Sequence, residues 1–348
     1  MSAPTLPEPS QVKNILIVRA DHLGDLIMGT VLIPPLQARY PQAKLYFLVQ
    51  RGHGALVRCL PGVAGALEWD LDDKQLRNPL KAWWAARKFC RFADTLHFDL
   101  GIDPKGLWLN AGLLHRLDIP HRVGFADGGG GFLLTQVVSV DQADTPFERL
   151  EKLLAHLECV VPRPLQAHFP VYPARQTDTQ AVLVFPGASE VNKRWPWERF
   201  QDLIERMLQQ TPFPVKILGG PAEASWLLAA VQHWNPDPAR VQVELLQSTA
   251  ALIEAMRSGV LVLSNDAAPA HLAAAMDIPS ITLFGAQDPA DWHPYDPVRH
   301  AVLYAYVACR PCGLRYCPLI GADYIRCLKH ISVDEVFLKV QMKMNAHD

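Results

Sequence analysis

A short apolar run that ends in a polar or glycine turn and leads into a helically spaced segment recurs along almost the whole chain. NILIVRA (14–20) is followed by DHLGD and then by Leu26, Ile27, Val31, Leu32 and Leu36 at helical spacing. LYFLVQ (45–50) leads into GHGALVRCL, read as a short helix. FDLGID (98–103) and HRVGF (121–125) are further strands, the latter followed by a glycine-rich turn at 127–131, and a helix runs from Pro146 to Leu157. Strands that are apolar throughout and alternate with helices belong to parallel sheets covered on both faces. Pro34 and Pro35 fall inside the first helical stretch and should kink or shorten it. Between Leu80 and Phe92, Trp83, Trp84 and Phe89 recur at helical spacing and read as core packing rather than as a platform for a ligand.

Residues 161–180 change character. Pro162, Pro164, Pro170 and Pro173 punctuate a polar segment that reads as an interdomain linker. The rhythm then restarts with AVLVFPG (181–187), FPVKILGG (213–220), VQVELL (241–246), VLVLSND (260–266) and SITLFG (280–285). Helical segments lie between them, one of them ending on Gly259 as a C-cap. A chain of 348 residues suits two domains of roughly 150 residues each. The expected architecture is therefore α/β, with two Rossmann-like domains at 12–165 and 180–332. A last amphipathic helix, within 333–348, is expected to pack back on the first domain. Parallel sheets of this kind bind ligands at the carboxyl ends of their strands, so the expected site is a cleft between the domains.

The formal net charge of −2 lacks the basic excess of nucleic-acid binders, and no nucleic-acid partner is expected. The leader MSAPTLPEPSQ has neither a basic start nor an apolar core. It reads as a short disordered tail rather than a secretory signal. With no apolar run of about 18 residues for a membrane span, the expected location is the cytoplasm, with room for peripheral contact at the inner face of the membrane. Cys59, Cys90 and Cys159 sit among apolar neighbours and read as buried thiols.

Three loops that follow predicted strands carry groups suited to chemistry. The first is Asp21-His22-Leu23-Gly24-Asp25. Gly24 removes bulk at the turn, and a carboxylate at a strand end is a sensible general base for a sugar hydroxyl; the plainer reading of Asp25 is a helix cap. The second is Phe185-Pro186-Gly187-Ala188-Ser189, continuing to Lys193-Arg194-Trp195. Gly187 can turn backbone N–H groups toward an anion, Lys193 offers an ammonium and Arg194 a planar fork; the plainer reading is a solvated basic loop anchored by Trp195. The third is Ser264-Asn265-Asp266-Ala267-Ala268-Pro269-Ala270-His271. A helix beginning there would present free N–H groups to an anion, with Asp266 as its cap and His271 one turn in. The glycine run at 128–131 does not match the dinucleotide fingerprint, and no Walker lysine loop is present.

Together these loops resemble glycosyltransferase family 9, the ADP-heptose–lipopolysaccharide heptosyltransferases. The matching segments are ILIVRADHLGD (15–25), VFPGASEVNKRWPWERF (184–200), LGGPAEA (218–224), LSNDAAPAHLAAAMDIPSITLFGAQDPADWHPY (263–295) and CRPCGLRYCPLIGADYIRCL (309–328), in the family's order. The resemblance implies a GT-B fold and an inverting, metal-independent transfer of a sugar from a nucleotide donor, ADP-heptose, to a lipopolysaccharide inner-core acceptor. It implies Asp25 as catalytic base and Lys193 on the donor diphosphate. Gly187, Ser189, Glu223, Asp266, Ala267, Ala268 and His271 fall among the donor-binding positions. The acceptor, acidic and phosphorylated, calls for cations on the first domain. The candidates are Arg19, Arg51, Lys105, Arg116 and Arg122, with His22 beside them. One departure stands out: the family has Asp-Thr-Gly where this chain has Asp266-Ala267-Ala268. A hydroxyl is lost at 267, and at 268 a methyl group replaces hydrogen, which bears on phosphate approach and on any need for positive φ.

No cofactor is expected for catalysis. Cys309, Cys312, Cys317 and Cys327 begin with a CxxC and suit a structural zinc, against which stand packed free thiols or a redox-sensitive pair. Two other functions remain open at this point: another nucleotide-sugar enzyme of the same architecture, such as an epimerase or hydrolase, and a non-catalytic binding protein with a degenerate donor loop.

Overall fold

The computed structural model describes residues 5–69, 93, 95–167, 169, 180–293 and 295–345. The chain divides into two compact units, residues 1–170 and 171–348. The helix expected between Leu80 and Phe92 and most of the expected linker lie outside the described residues.

The first unit holds six parallel strands: β1 (Asn14–Arg19), β2 (Lys44–Gln50), β3 (Val63–Trp69), β4 (Leu100–Asp103), β5 (His121–Gly124) and β6 (Gln136–Val137), in the spatial order β3-β2-β1-β4-β5-β6. Its described helices are α1 (Leu23–Gly29), α2 (Ile33–Arg39), α3 (Gly54–Arg58), α4 (Trp108–Arg116) and α5 (Pro146–His156). β1 is central, and Ile15, Leu16, Ile17 and Val18 are all fully buried, which is why its sequence is apolar on both faces. The predicted break at the two prolines is present: α1 ends in a 3-10 turn at Thr30–Leu32, and α2 begins with the prolines in its first turn. Thr145 and Glu148 form a reciprocal capping box at the start of α5. The leader is not wholly irregular, since Pro9–Gln11 forms a 3-10 turn and Val12 is buried.

The second unit repeats the design with β7 (Ala181–Phe185), β8 (Val215–Gly219), β9 (Val241–Leu245), β10 (Gly259–Asn265), β11 (Ser280–Leu283) and β12 (His300–Leu303), ordered β12-β11-β10-β7-β8-β9. Helices α6 (Trp197–Gln210), α7 (Ala224–Trp234), α8 (Thr249–Met256), α9 (Ala268–Ala275), α10 (Pro289–Trp292), α11 (Arg326–Lys329) and α12 (Val333–Asn345) accompany it. Read from each unit's own first strand, both sheets have the order 3-2-1-4-5-6 of a doubly wound Rossmann sheet.

Two expectations are corrected here. Gly259 opens β10 instead of capping a helix; a side chain there would meet Leu183 Cδ1 at 2.8 Å. The last helix, expected to return to the first domain, commits its apolar face to the second unit: Val336, Phe337 and Val340 join that unit's core, and α12 packs on α6 and β11. The physical reason is the stripe of apolar residues on α6, which includes the buried Phe200, Leu203, Ile204 and Met207 and needs cover.

Candidate active site

A doubly wound sheet has one place where its connections diverge to opposite sides, and loops leaving the two strands there frame a crevice. In the first unit this place lies between β1 and β4. Arg19 closes β1 and is only 4% exposed, its guanidinium lying where a side chain on Gly29 would meet its Nε at 2.8 Å. Nη2 donates to the backbone carbonyl of Asp25 and stands 3.6 Å from Asp25 Oδ1, and Nη1 is 3.4 Å from Asp21 Oδ2. From the loop after β4, Lys105 Nζ reaches Asp25 Oδ1 at 3.2 Å and Asp21 Oδ2 at 3.6 Å.

Asp25 sits in the first turn of α1, but the N-cap of that helix is His22, so the carboxylate is not a cap. Burial acts to raise its pKa; the Arg19 and Lys105 charges outweigh that and, with His22, hold it below the usual carboxylate range. Asp21 is deeper still, and burial outweighs Arg19 there and raises its pKa. Two carboxylates sharing two cations are thus driven apart in proton affinity.

Behind them lies Asp103, the last residue of β4, with no exposed surface. Its Oδ1 accepts hydrogen bonds from Lys105 N (3.0 Å), Gly106 N (3.1 Å) and Asn110 Nδ2 (2.9 Å). Among the described residues its buried Oδ2 has no hydrogen-bond partner. Burial pushes this carboxyl up to about 6 against the pull of those hydrogen bonds.

In the second unit the corresponding place lies between β7 and β10. Asn265, the fully buried end of β10, donates from Nδ2 to the carbonyls of Pro186 (2.8 Å) and Gly187 (3.2 Å) and accepts the Trp195 N–H at Oδ1 (3.0 Å). One amide therefore holds both ends of the loop after β7. Trp195, itself buried, donates its indole N–H to Ile331 O at 3.1 Å. Held in this way, Lys193 sends Nζ to within 2.8 Å of Asp266 Oδ2. Arg194 turns back on its own loop and donates twice to Ala188 O, at 3.0 and 2.8 Å. Glu223 accepts the Gly220 N–H at 2.9 Å and fills the space beside Gly187, where a Cβ would lie 2.6 Å from Glu223 Cγ. The absence of a side chain at 187 is thus a packing requirement. Ser189 is exposed and donates to Glu190 Oε2 at 2.7 Å. His271 is buried, with Nδ1 2.8 Å from the Tyr295 hydroxyl.

The family model for glycosyltransferase family 9 (heptosyltransferase) matches residues 87–321. The chain belongs to glycosyltransferase family 9. Lipopolysaccharide heptosyltransferase 1 of Escherichia coli K12 is 25% identical over 300 residues, covering 79% of this chain and 89% of that protein. The Campylobacter coli protein of the same name is 22% identical over 296 residues, covering 78% and 84%. Among solved structures, the E. coli ADP-heptose lipopolysaccharide heptosyltransferase II superposes with a TM-score of 0.76 at 18% identity, over 96% of this chain and all of that one. An E. coli heptosyltransferase solved with ADP-2-deoxy-2-fluoro heptose gives 0.73 at 20% identity, over 94% and 99%. The fold of this family 9 glycosyltransferase is accordingly GT-B.

Several positions singled out in the sequence are now located. Asp25 stands with Arg19, His22 and Lys105 in one unit; Lys193 stands with Asp266, and Gly187 with Glu223, in the other. Arg122 donates from Nε to Leu133 O at 2.7 Å and from Nη1 to Ile119 O, which ties the β5 edge together. Asp266 does not cap α9. Its carboxylate faces Lys193, and the N-cap is Ala267 with no side-chain hydrogen bond. Ala268 lies inside the first turn of α9 and not among the positive-φ residues, so its methyl group meets no backbone conflict. Asp103, Asn110 and Asn265 were not recognised from sequence. The signal for the first was a strand running into Asp-Pro-Lys-Gly, an Asx-type turn.

The structural zinc expected at Cys309, Cys312, Cys317 and Cys327 is not supported: among the described residues no group of three or more histidine, cysteine, aspartate or glutamate side chains could hold a metal. Cys309, Cys312 and Cys317 nevertheless lie close enough to Cys327 for their charges to act on it. Cys327 lies in the apolar core and burial raises its pKa, Cys312 is exposed, and Cys317 accepts the Ile325 N–H at 3.4 Å. Among the described residues, no helix is long and apolar enough to cross a membrane.

Proposed function

We propose that this family 9 glycosyltransferase moves a heptose from ADP-heptose to a lipopolysaccharide inner-core acceptor with inversion, using Asp25 as general base and Lys193 on the donor diphosphate. The observation that carries the reading is Asp25 itself: a carboxylate kept ionised by Arg19 and Lys105 where the β1 and β4 loops diverge. An ionised carboxylate is ready to accept a hydroxyl proton at neutral pH. The acceptor oxygen then attacks the anomeric carbon from the face opposite the diphosphate. The bond to the diphosphate oxygen breaks and its electron pair leaves with the nucleotide. The transition state has oxocarbenium character, as in glycoside hydrolysis.

On the donor side Lys193 exchanges Asp266 for the diphosphate or bridges the two, and the N–H groups opening α9 add positive partial charge. These groups take the part a divalent metal plays in other transferases, so the reaction is expected to survive a chelator. Ser189, Glu223, Ala267 and His271 complete the donor surface. Acceptor anions fall to the cations of the first unit, with Lys105 and Arg19 beside the base and His22 and Arg122 as further contacts, and peripheral contact with the inner membrane follows from a lipid-linked acceptor. The relatives named lipopolysaccharide heptosyltransferase support this choice of substrates.

The test is a calorimetric screen of ADP-, GDP- and UDP-sugars followed by turnover of the bound donor. ADP-heptose is expected to bind to wild type and to Asp25→Asn alike, with turnover lost in the variant. Binding of a different nucleotide sugar in its place, or normal turnover by Asp25→Asn, removes the proposal.

A further inference from the structure

We infer that Asp103 is a positioning residue of this site: through Oδ1 it fixes the turn that carries the Lys105 ammonium onto Asp25. The inference deepens the proposed function, since it rests on Asp25 being the base.

Arg19 and Lys105 both contact Asp25, yet they are held in different ways. Arg19 is 4% exposed and bonded to the Asp25 backbone, so the core fixes it. Lys105 is 37% exposed on a flexible stem, and its ammonium has no such support. What limits it is its backbone. Asp103 Oδ1 accepts the N–H groups of residues 105 and 106 together, the geometry of an aspartate-closed turn, and Asn110 from α4 adds a third donor to the same oxygen.

The turn is clamped from its far side as well. Gly106 has φ +79, which favours glycine, and a side chain there would meet Asp127 Oδ1 at 2.5 Å and Phe125 Cβ at 2.8 Å. Its carbonyl accepts the Gly128 N–H at 3.0 Å. Gly124 in β5 lets the strand lie against Asp103, whose carbonyl oxygen would be 2.8 Å from a Cβ at 124. A buried carboxyl with three donors on one oxygen and none on the other costs desolvation that an apolar residue would avoid. A fixed place for Lys105 is what that arrangement provides.

Among the described residues, the charged and titratable groups facing Asp25 are Arg19 from β1, Asp21 and His22 from the loop before α1, and Lys105 from the turn after β4; Asp103 lies behind them. Removing Lys105 leaves Arg19 to oppose burial and Asp21, so Asp25 must gain proton affinity. Releasing the turn should act in the same direction.

The experiment is an NMR titration of the Asp25 carboxyl in the full chain, with the pH profile of kcat/KM measured alongside. Lys105→Met is expected to raise the Asp25 midpoint and shift the acid limb of the profile to higher pH. Asp103→Ala should move both in the same direction and should add nothing in the Lys105→Met background. Asp103→Asn keeps the acceptor oxygen and should restore the wild-type midpoint. If Asp103→Ala does not fold, Asn110→Ala, which removes one donor, should give a smaller shift of the same sign. A wild-type midpoint in Asp103→Ala (or in Asn110→Ala, should that variant stand in), or in Lys105→Met, overturns the inference. Full turnover by Asp25→Asn overturns the assignment of the base instead and leaves the titration result standing.

Discussion

The two units share one strand order, and each places its charged loops where that order diverges, but they use charge in opposite senses. In the first unit, two cations converge on the carboxylates of Asp21 and Asp25, and a third carboxyl, Asp103, stands behind. In the second, the ammonium of Lys193 meets one carboxylate, Asp266, and the loop around it is held by hydrogen bonds to the Asn265 amide, the Trp195 indole and the Arg194 guanidinium. The first arrangement sets the proton affinity of a carboxylate. The second keeps a cation at a fixed place with a partner that an incoming anion can replace. On the proposed function, one scaffold hosts a proton-handling site and an anion-handling site, and the difference lies in a few loop residues.

The largest effect expected from breaking this contrast is at Asp25. Asp25→Asn should lower kcat by about 10²–10⁴, the range of general-base catalysis, with donor affinity unchanged in calorimetry. Loss of donor binding instead would place Asp25 on the same side of the comparison as Lys193. Lys193→Ala should come next, lowering kcat by about 10²–10³ as expected for a lost charge-stabilising donor. It should also weaken the nucleotide sugar, because Asp266 then faces the diphosphate with no cation between them. Asp266→Asn together with Lys193→Ala should recover part of the affinity; no recovery would mean that Asp266 does not oppose the donor.

The Asn265 scaffold predicts stability effects confined to the second unit. Asn265→Ala removes three hydrogen bonds from a fully buried amide and leaves the Trp195 N–H and two carbonyls unpaired, at a cost of roughly 1–3 kcal/mol for each buried group left bare. Denaturant unfolding followed by tryptophan fluorescence should show it. The buried histidines of β12 and the preceding loop set a pH limit on the same unit. Burial lowers His293 to about 3 and His300 to about 4. Unfolded histidine titrates near 6.5, so both are neutral in either state above that pH. As pH falls from about 6.5 toward those folded values the unfolded chain takes up protons that the folded one refuses. Stability should then decline by about 1.4 kcal/mol per pH unit for each histidine. Melting curves between pH 7 and pH 4 should be flatter for His300→Gln than for wild type.

Much of this architecture was legible in advance, for a physical reason. Strands buried on both faces, such as β1, β7 and β10, carry continuous apolar runs, and Asp25, Lys193 and Asp266 could be singled out because each follows such a strand. β3 could not, because VAGALEW carries a glycine and an exposed glutamate. β6 is only two residues long and carries too little pattern. The contacts that define the sites were also hidden. Lys105 and Asp25 are 80 residues apart, and Asn265 and Trp195 are 70 apart; nothing in local spacing reports which loops a parallel sheet brings side by side. The four cysteines misled for the complementary reason: their spacing fits a ligand set, but among the described residues the fold assembles no group that could hold a metal.

The smallest expected effect concerns Ala267-Ala268, where the family has Thr-Gly. The backbone at Ala267 is extended, with φ −158 and ψ 172, which any residue adopts, and it occupies the N-cap of α9 without a side-chain hydrogen bond. Restoring a hydroxyl by Ala267→Thr should therefore add a cap and about 1 kcal/mol of stability to the second unit. Ala268→Gly relieves no strain, because the position is helical, and should cost about 0.5–1 kcal/mol instead. If the donor site depends on backbone N–H groups and Lys193, ADP-heptose affinity should change by no more than about threefold, or ~0.7 kcal/mol, in either variant. A tenfold gain from Ala267→Thr would show that a side-chain hydroxyl carries part of the anion site, and the contrast between a proton-handling loop built from side chains and an anion-handling loop built largely from backbone would lose its second half.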